Sequence, residues 1–340
     1  MKWKTLISAA LMLVFLSACS AVAPTPTPEQ TIPTEPAVLE RLEIARLPDK
    51  TTYILGESFD PTGLVVDAVF SDGSVQRNIK YAVEENPTMT TATLGVVVTY
   101  EGKGIHVPIS VILPGNSEIY SAENMEVLPD SPLQGKTFFW LGSSVTQGAS
   151  ALNQSMADFL AAKHSCVCIK EAVSGTTLAN NGKDSYVARL DQYLASEEKC
   201  QSVDVFICQL STNDQKSPEN WGTVTANEVR SPEAFDTTTT IGAMEYIIAR
   251  ARETWDCPVV FYTNPPTKNE NYLQLVLHLY AVAQKWDITL IDLYMDIPFQ
   301  NIPTEEQYHL WMADVIHPTK AGYRDWWLPK FEETFLTLMK

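Results

Sequence analysis

From its amino end, the chain runs through four textures of hydrophobic and polar positions. Lys2 and Lys4 precede an almost uncharged apolar stretch, Leu6 to Leu16. That stretch is too short to span a bilayer comfortably as a helix, and residues 1–18 have the build of an export signal. Residues 19–38 form a spacer in which Pro24, Pro26, Pro28, Pro33 and Pro36 alternate with Thr and other small or polar residues, a composition that favours an extended, semi-rigid chain over a core. From 39 to 113 short alternating runs end at turn residues. From 120 to 340 longer apolar runs alternate with stretches of helical spacing.

The third texture predicts a small all-β sandwich. Leu42-Glu43-Ile44 and Thr51-Thr52-Tyr53 precede Gly56, and Gly63 to Phe70 meets the hairpin signal Ser71-Asp72-Gly73-Ser74. Gly95 to Tyr100 then meets Glu101-Gly102-Lys103-Gly104, and Ile105 to Leu113 closes the module with Pro108 suited to an edge. The fourth texture predicts five strands, near Lys136–Leu141, Ser165–Val173, Val203–Leu210, Pro258–Thr263 and Ile288–Leu293. Helices are expected over Gln147–Lys163, Asp184–Glu197, Thr237–Thr254, Asn271–Trp286 and Pro318–Leu338. Strands alternating with helices give an α/β fold, a flavodoxin-like parallel five-stranded sheet covered on both faces. Ligands of such sheets lie beyond the carboxyl ends of the strands.

Charge narrows the partners. Asp+Glu number 41 against Lys+Arg 24, a formal net charge of −17, which argues against nucleic acid and against a polybasic membrane patch. Residues 39–113 hold ten acidic and six basic side chains and residues 1–38 balance, so 114–340 carry a net −13. A neutral substrate suits that region better than a polyanion. Six cysteines in 340 residues, with no Cys-x-x-Cys pair, make neither a disulfide scaffold nor a zinc motif. Cys166, Cys168 and Cys208 fall in strand runs and read as small buried apolar residues, and no essential disulfide is expected.

Polar residues with chemical potential fall just after the expected strands: Gly142-Ser143-Ser144-Val145-Thr146-Gln147-Gly148, Ser174-Gly175-Thr176-Thr177, Ser211-Thr212-Asn213-Asp214, and Asp314-Val315-Ile316-His317-Pro318 ahead of the last helix. Together they resemble the SGNH (GDSL-like) hydrolase family across the whole of 120–340. The family's Gly-Asp-Ser-x-Thr-x-Gly block matches Gly142 to Gly148 with Ser143 for the Asp. Its Gly-x-Asn-Asp block matches Ser211 to Asp214 with Ser211 for the Gly, and its Asp-x-x-His block matches Asp314 to His317. The resemblance implies Ser144 as nucleophile, His317 as its base and Asp314 as the group orienting His317. It further implies an oxyanion hole made by the N–H groups of Ser144 and Gly175 and the Asn213 amide, with no metal or cofactor. A serine hydroxyl needs such a base to become nucleophilic, and the tetrahedral intermediate needs such donors. Pro318 disfavours helical geometry at His317, so Asp314 and His317 are expected on a loop entering the last helix. The α/β-hydrolase elbow Gly-x-Ser-x-Gly fails here, because position 146 is Thr.

Two further resemblances set the context. Leu16-Ser17-Ala18-Cys19 resembles the lipobox of bacterial lipoproteins, which implies acylation at Cys19 and attachment to the outer face of a cell membrane. The alternative is an ordinary cleavage after Ala21-Val22-Ala23, disfavoured by Pro24. Gly56-Glu57-Ser58-Phe59, Gly63-Leu64-Val65-Val66, Phe70-Ser71-Asp72-Gly73 and Val98-Thr99-Tyr100-Glu101-Gly102 resemble bacterial Ig-like domains, generally spacers or weak binders.

The remaining histidines, His106, His164, His278 and His309, are expected to be structural or surface residues, and Trp326-Trp327 to pack the last helix. Asp292 ends the fifth strand without a neighbouring histidine and could form a pocket wall. The expectation is an exported serine esterase acting on a small acyl ester, acetylated polysaccharide being the favoured class. A lipase, thioesterase or acyltransferase remains open within the same machinery. The rival is a surface glycan-binding lipoprotein with an inactive hydrolase domain.

Overall fold

A computed structural model describes residues 35–83, 89–267 and 269–340. The export signal, Cys19 and the spacer up to residue 34 lie outside the described residues.

The first module pairs β1 (Leu39–Arg46) with β3 (Val65–Phe70) and β3 with β4 (Val75–Gln76), all antiparallel. Asp72 closes the β3–β4 hairpin by accepting the N–H of Ser74. A second sheet joins β5 (Ala82–Val83), β6 (Gly95–Tyr100) and β7 (Lys103–Pro108). Glu101 and Gly102 both take positive φ, +46° and +77°, the primed hairpin turn that matches strand twist. The pairing of β2 (Thr52–Ile54) with β8 (Ser110–Ile112) is parallel. Leu42, Val66, Ala68, Val98 and Val107 are buried between the sheets, as alternation predicts.

The second module is the expected five-stranded parallel sheet, in the order β10-β9-β11-β12-β13. Its strands are β9 (Thr137–Gly142), β10 (Val167–Ala172), β11 (Val205–Gln209), β12 (Val259–Tyr262) and β13 (Thr289–Ile291). Successive side chains feed opposite faces. Phe139, Phe206 and Phe261 pack under α3 (Tyr186–Ala195), α4 (Thr240–Trp255) and α5 (Glu270–Trp286). Phe138, Trp140, Ile207 and Val260 pack under α2 (Met156–His164) and α9 (Leu328–Leu338). The strand order reverses at β9, because the chain goes to β10 on one side and returns to β11 on the other. The carboxyl ends of β9 and β11 therefore flank the switch point where such sheets bind ligands.

The expected helix Gln147–Lys163 is two helices. A four-residue α1 (Ser144–Gln147) stops at Gly148, whose φ is +79° and where a Cβ would lie 2.2 Å from the Gln154 carbonyl oxygen. Helix α2 restarts at Met156 behind a capping box of Ser155 and Asp158. Between β13 and the last helix lie α6 (Ile297–Gln300) and α7 (Glu305–Trp311), which the hydrophobic spacing did not reveal. The last helix starts as α8 (Lys320–Gly322), capped by Thr319, and passes through a π-helical segment, Tyr323–Trp327, into α9. Trp326 stacks on Phe299 with ring centroids 4.7 Å apart and donates its N–H to the Phe299 carbonyl, which fixes α6 to that segment.

Candidate active site

Strand β9 delivers Gly142 at its end and Ser144 as the first residue of α1. A Cβ at position 142 would lie 1.7 Å from Thr146 Oγ1, so the turn into α1 requires glycine. Ser144 is nearly buried, and its Oγ lies 2.7 Å from His317 Nε2. As the first residue of α1, Ser144 has an N–H with no carbonyl partner inside the helix.

Asp314 and His317 sit on a turn closed by the Ala313 N–H donating to the His317 carbonyl, 2.8 Å. Pro318 follows in a bridge with Met312, before the helix begins. Asp314 Oδ1 accepts the N–H groups of Ile316 and His317, each at 2.8 Å, while Oδ2 lies 2.8 Å from His317 Nδ1. Partial burial raises the Asp314 pKa. The hydrogen bonds from the His317 ring and the two N–H groups outweigh that and hold the carboxyl below its ordinary range. The arrangement can take a proton from Ser144 and stabilise the resulting imidazolium.

In the loop after β10, Gly175 adopts φ +80° with open space around it, so backbone conformation rather than crowding selects glycine. Asn213 Nδ2 donates to the Thr176 carbonyl at 2.9 Å, leaving its second N–H for a ligand. Asp214 braces this loop. Its carboxylate accepts the N–H groups of Leu178 and Ala179 and the Thr240 hydroxyl. Burial pushes its pKa up, and those bonds restrain the rise. The two departures from the family blocks join the framework: Ser211 donates to the Thr176 carbonyl, and Ser143 donates its N–H to Gln209.

Gln209 was not singled out from sequence. Its Oε1 accepts the N–H of Ser143 (3.0 Å), the hydroxyl of Ser143 (3.3 Å), the N–H of Thr146 (3.3 Å) and the hydroxyl of Thr146 (2.9 Å). Its Nε2 donates to Asn264 Oδ1 at 3.5 Å, and Asn264 Nδ2 donates to the Ile316 carbonyl at 2.9 Å. Two buried amides thus connect the Ser144 turn to the His317 turn. Arg189 adds a bond from below, donating to the Gly142 carbonyl at 2.7 Å. The available signal was polarity where none is expected, a glutamine ending an apolar strand and an asparagine just past the next. Gln209→Leu is expected to destabilise the protein by roughly 2–3 kcal/mol through unpaired buried donors. It should also lower kcat about 100-fold through displacement of the Ser144 turn. Denaturation and steady-state kinetics measure the two effects, and a variant with wild-type kcat would refute the link.

The other candidates lie away from this cluster. His164 is buried between the Ser131 hydroxyl (2.6 Å) and Glu332 (2.7 Å), His278 packs against Trp221, and His309 and His106 are exposed. Asp292 accepts the Thr263 hydroxyl and the N–H groups of Tyr294 and Met295, holding the turn after β13 and lining a separate cavity with Tyr280 and Lys330. Cys166, Cys168, Cys200, Cys208 and Cys257 are free thiols. Among the described residues, no cluster of three or more His, Cys, Asp or Glu side chains could hold a metal ion, and no helix is long and apolar enough to cross a membrane.

A parallel α/β sheet with this serine, histidine and aspartate at its carboxyl edge has the form of a hydrolase. Residues 140–324 match the GDSL-like lipase/acylhydrolase family, and the chain belongs to that family. Residues 47–111 match the bacterial Ig-like domain, group 3. Pectate lyase L of Thermoclostridium stercorarium is 35% identical over 111 residues, 33% of this chain. The match covers only 9% of that larger protein. Among solved structures, a protein from Lactobacillus plantarum is similar at 17% identity over 60% of this chain and 97% of its own, TM-score 0.45. A member of the lipolytic G-D-S-L family from Veillonella parvula is similar at 14% over 59% and 98%, TM-score 0.43. An acetyl xylan esterase is similar at 16% over 58% and 98%, TM-score 0.40.

Proposed function

We propose that this chain is an exported serine esterase, anchored to the membrane through Cys19, that removes small acyl groups, acetyl above all, from a neutral carbohydrate. The observation that carries this reading is the run of contacts from Ser144 Oγ through His317 to Asp314, at 2.7 Å and 2.8 Å. Ser144 Oγ attacks the acyl carbon as His317 Nε2 takes its proton. The oxyanion is received by the N–H groups of Ser144 and Gly175 and the free N–H of Asn213. As the intermediate collapses, His317 returns the proton to the leaving alcohol oxygen. His317 then takes a proton from water as that water attacks the acyl-enzyme, and returns it to Ser144 Oγ as the acid leaves. The net −13 of residues 114–340 supports an uncharged substrate over a polyanion.

The test is a panel of esters, comprising acetylated oligosaccharides, p-nitrophenyl esters from acetate to palmitate and a thioester, assayed on membrane and soluble fractions of cells making the full chain. Activity is expected in the membrane fraction, highest on acetyl esters. Preference for long acyl chains would move the reading to a lipase, activity confined to the soluble fraction would remove the anchor, and no turnover of any ester would favour the glycan-binding alternative.

A further inference from the structure

The two modules meet beside the catalytic turn. Strand β8 ends at Ile112, and only Leu113 separates it from a one-turn 3₁₀ helix, Pro114–Asn116, that is seated in the second module. A Cβ on Gly115 would lie 2.0 Å from the Leu310 carbonyl oxygen, which shows how closely that turn is held. Asn116 Nδ2 donates to the Ser150 carbonyl (2.8 Å), and Asn116 Oδ1 accepts the N–H of Lys320 (3.0 Å), three residues after His317. The end of β8 is thereby tied both to the loop that follows α1 and to the helix that follows the His317 turn. Between them lies a cavity of about 410 Å³, lined by Thr91, Ile112 and Leu113 from the first module and by Ser150, Leu152 and Asp314 from the second. Its volume falls within the roughly 300–1,000 Å³ of small-molecule sites.

The position relative to the reaction decides what this cavity could hold. His317 Nε2 must deliver a proton to the leaving oxygen, so the alcohol part of an ester departs on the His317 side of Ser144. Asp314 bonds to the opposite ring nitrogen, Nδ1, and is one of the residues lining the cavity, which therefore lies past His317 from Ser144.

Resting on the esterase reading above, we propose that this cavity is a subsite for the alcohol part of the substrate. It takes an uncharged sugar unit of an oligosaccharide, with the Ig-like module supplying one wall. Thr91 and Ser150 offer hydroxyls to sugar hydroxyl groups. Ile112, Leu113 and Leu152 offer aliphatic surface to the C–H face of a pyranose. The Asp314 carboxylate turns away a uronate. The Ig-like module then sets substrate choice as well as distance from the membrane.

Thr91→Trp and Ser150→Trp fill the cavity from its two sides. For the full chain and each variant, kcat/KM is measured on O-acetylated xylotriose and on ethyl acetate, whose two-carbon alcohol is too short to extend past His317. The ratio of the two values cancels any general loss of active enzyme. It is expected to fall at least about tenfold in both variants. A ratio within twofold of wild type in both would overturn the subsite while leaving the esterase standing. Failure of the wild-type chain to hydrolyse either ester would instead remove the esterase reading. Calorimetry of unacetylated xylotriose on the Ser144→Ala protein judges the cavity without turnover. Weaker binding when Trp is added at position 91 supports it, and equal affinity with and without that change overturns it.

Discussion

Ser144→Ala is expected to lower kcat for acetyl-ester hydrolysis by about 10⁵- to 10⁶-fold with the fold unchanged. The hydroxyl is the atom that would bond to the acyl carbon, and alanine offers nothing in its place. On the proposed mechanism, what survives would come from the backbone N–H groups of residues 144 and 175 and the Asn213 amide, still polarising a bound ester toward water. Such residual catalysis amounts to about 10³- to 10⁴-fold over the uncatalysed rate in comparable triads. The structural cost is small, because among the described residues Ser144 Oγ hydrogen-bonds to His317 Nε2 alone. One such bond is worth roughly 1 kcal/mol. The thermal midpoint should therefore move little, which separates lost chemistry from lost protein. Turnover undiminished in this variant would show that another group performs the hydrolysis and would remove the mechanism.

The sheet of the second module was legible because strands buried on both faces leave continuous apolar runs. Phe138 to Leu141 and Val205 to Cys208 could not be helix surfaces, and each ends in small and polar residues. The hairpins of the first module were legible at Asp72-Gly73 and Glu101-Gly102, whose turn chemistry is local. What escaped depends on partners distant in sequence. The parallel pairing of Thr52 with Ser110 leaves no local trace. Nor could spacing show Gln209 accepting from Ser143, 66 residues away, or Asn264 reaching Ile316 across 52. The break between α1 and α2 was missed for another reason. Val145, Met156, Phe159 and Leu160 all face one cluster, so the apolar pattern carries on across a turn whose only marks are Gly148 and Ser155. The motif residues show a similar limit. Asn213 and Asp214 are adjacent, yet one is part-exposed and donates a single amide N–H to the Thr176 carbonyl while the other is buried and accepts the Leu178 N–H of the segment after Gly175. Block matching alone does not separate those roles.

The replacement Asp314→Asn is expected to lower kcat by about 10³- to 10⁴-fold while changing KM little. The direction follows from how the carboxylate is held. Oδ1 accepts two backbone N–H groups, which an asparagine carbonyl oxygen can still do. The amide NH₂ must then occupy the place of Oδ2, 2.8 Å from His317 Nδ1. An N–H donor there requires Nδ1 to be the unprotonated nitrogen, so the ring proton moves to Nε2, facing Ser144. A histidine in that tautomer cannot take the serine proton. Because the Asp314 side chain is half exposed, water competes for the ring and the lower end of the range is the better expectation. The same change has a signature in stability. The Asp314 pKa is depressed in the folded protein, against an unfolded value near 3.9. Its stabilisation is therefore complete above that unfolded value and is lost as pH falls through the lower folded one. The stability gap between wild type and the Asn variant should be widest at neutral pH and should close in acid below about pH 4. Denaturant unfolding at pH 7 and pH 3 measures the gap. A gap independent of pH would mean that the carboxylate is not held as described, and kcat within about tenfold of wild type would mean that His317 keeps its tautomer without it.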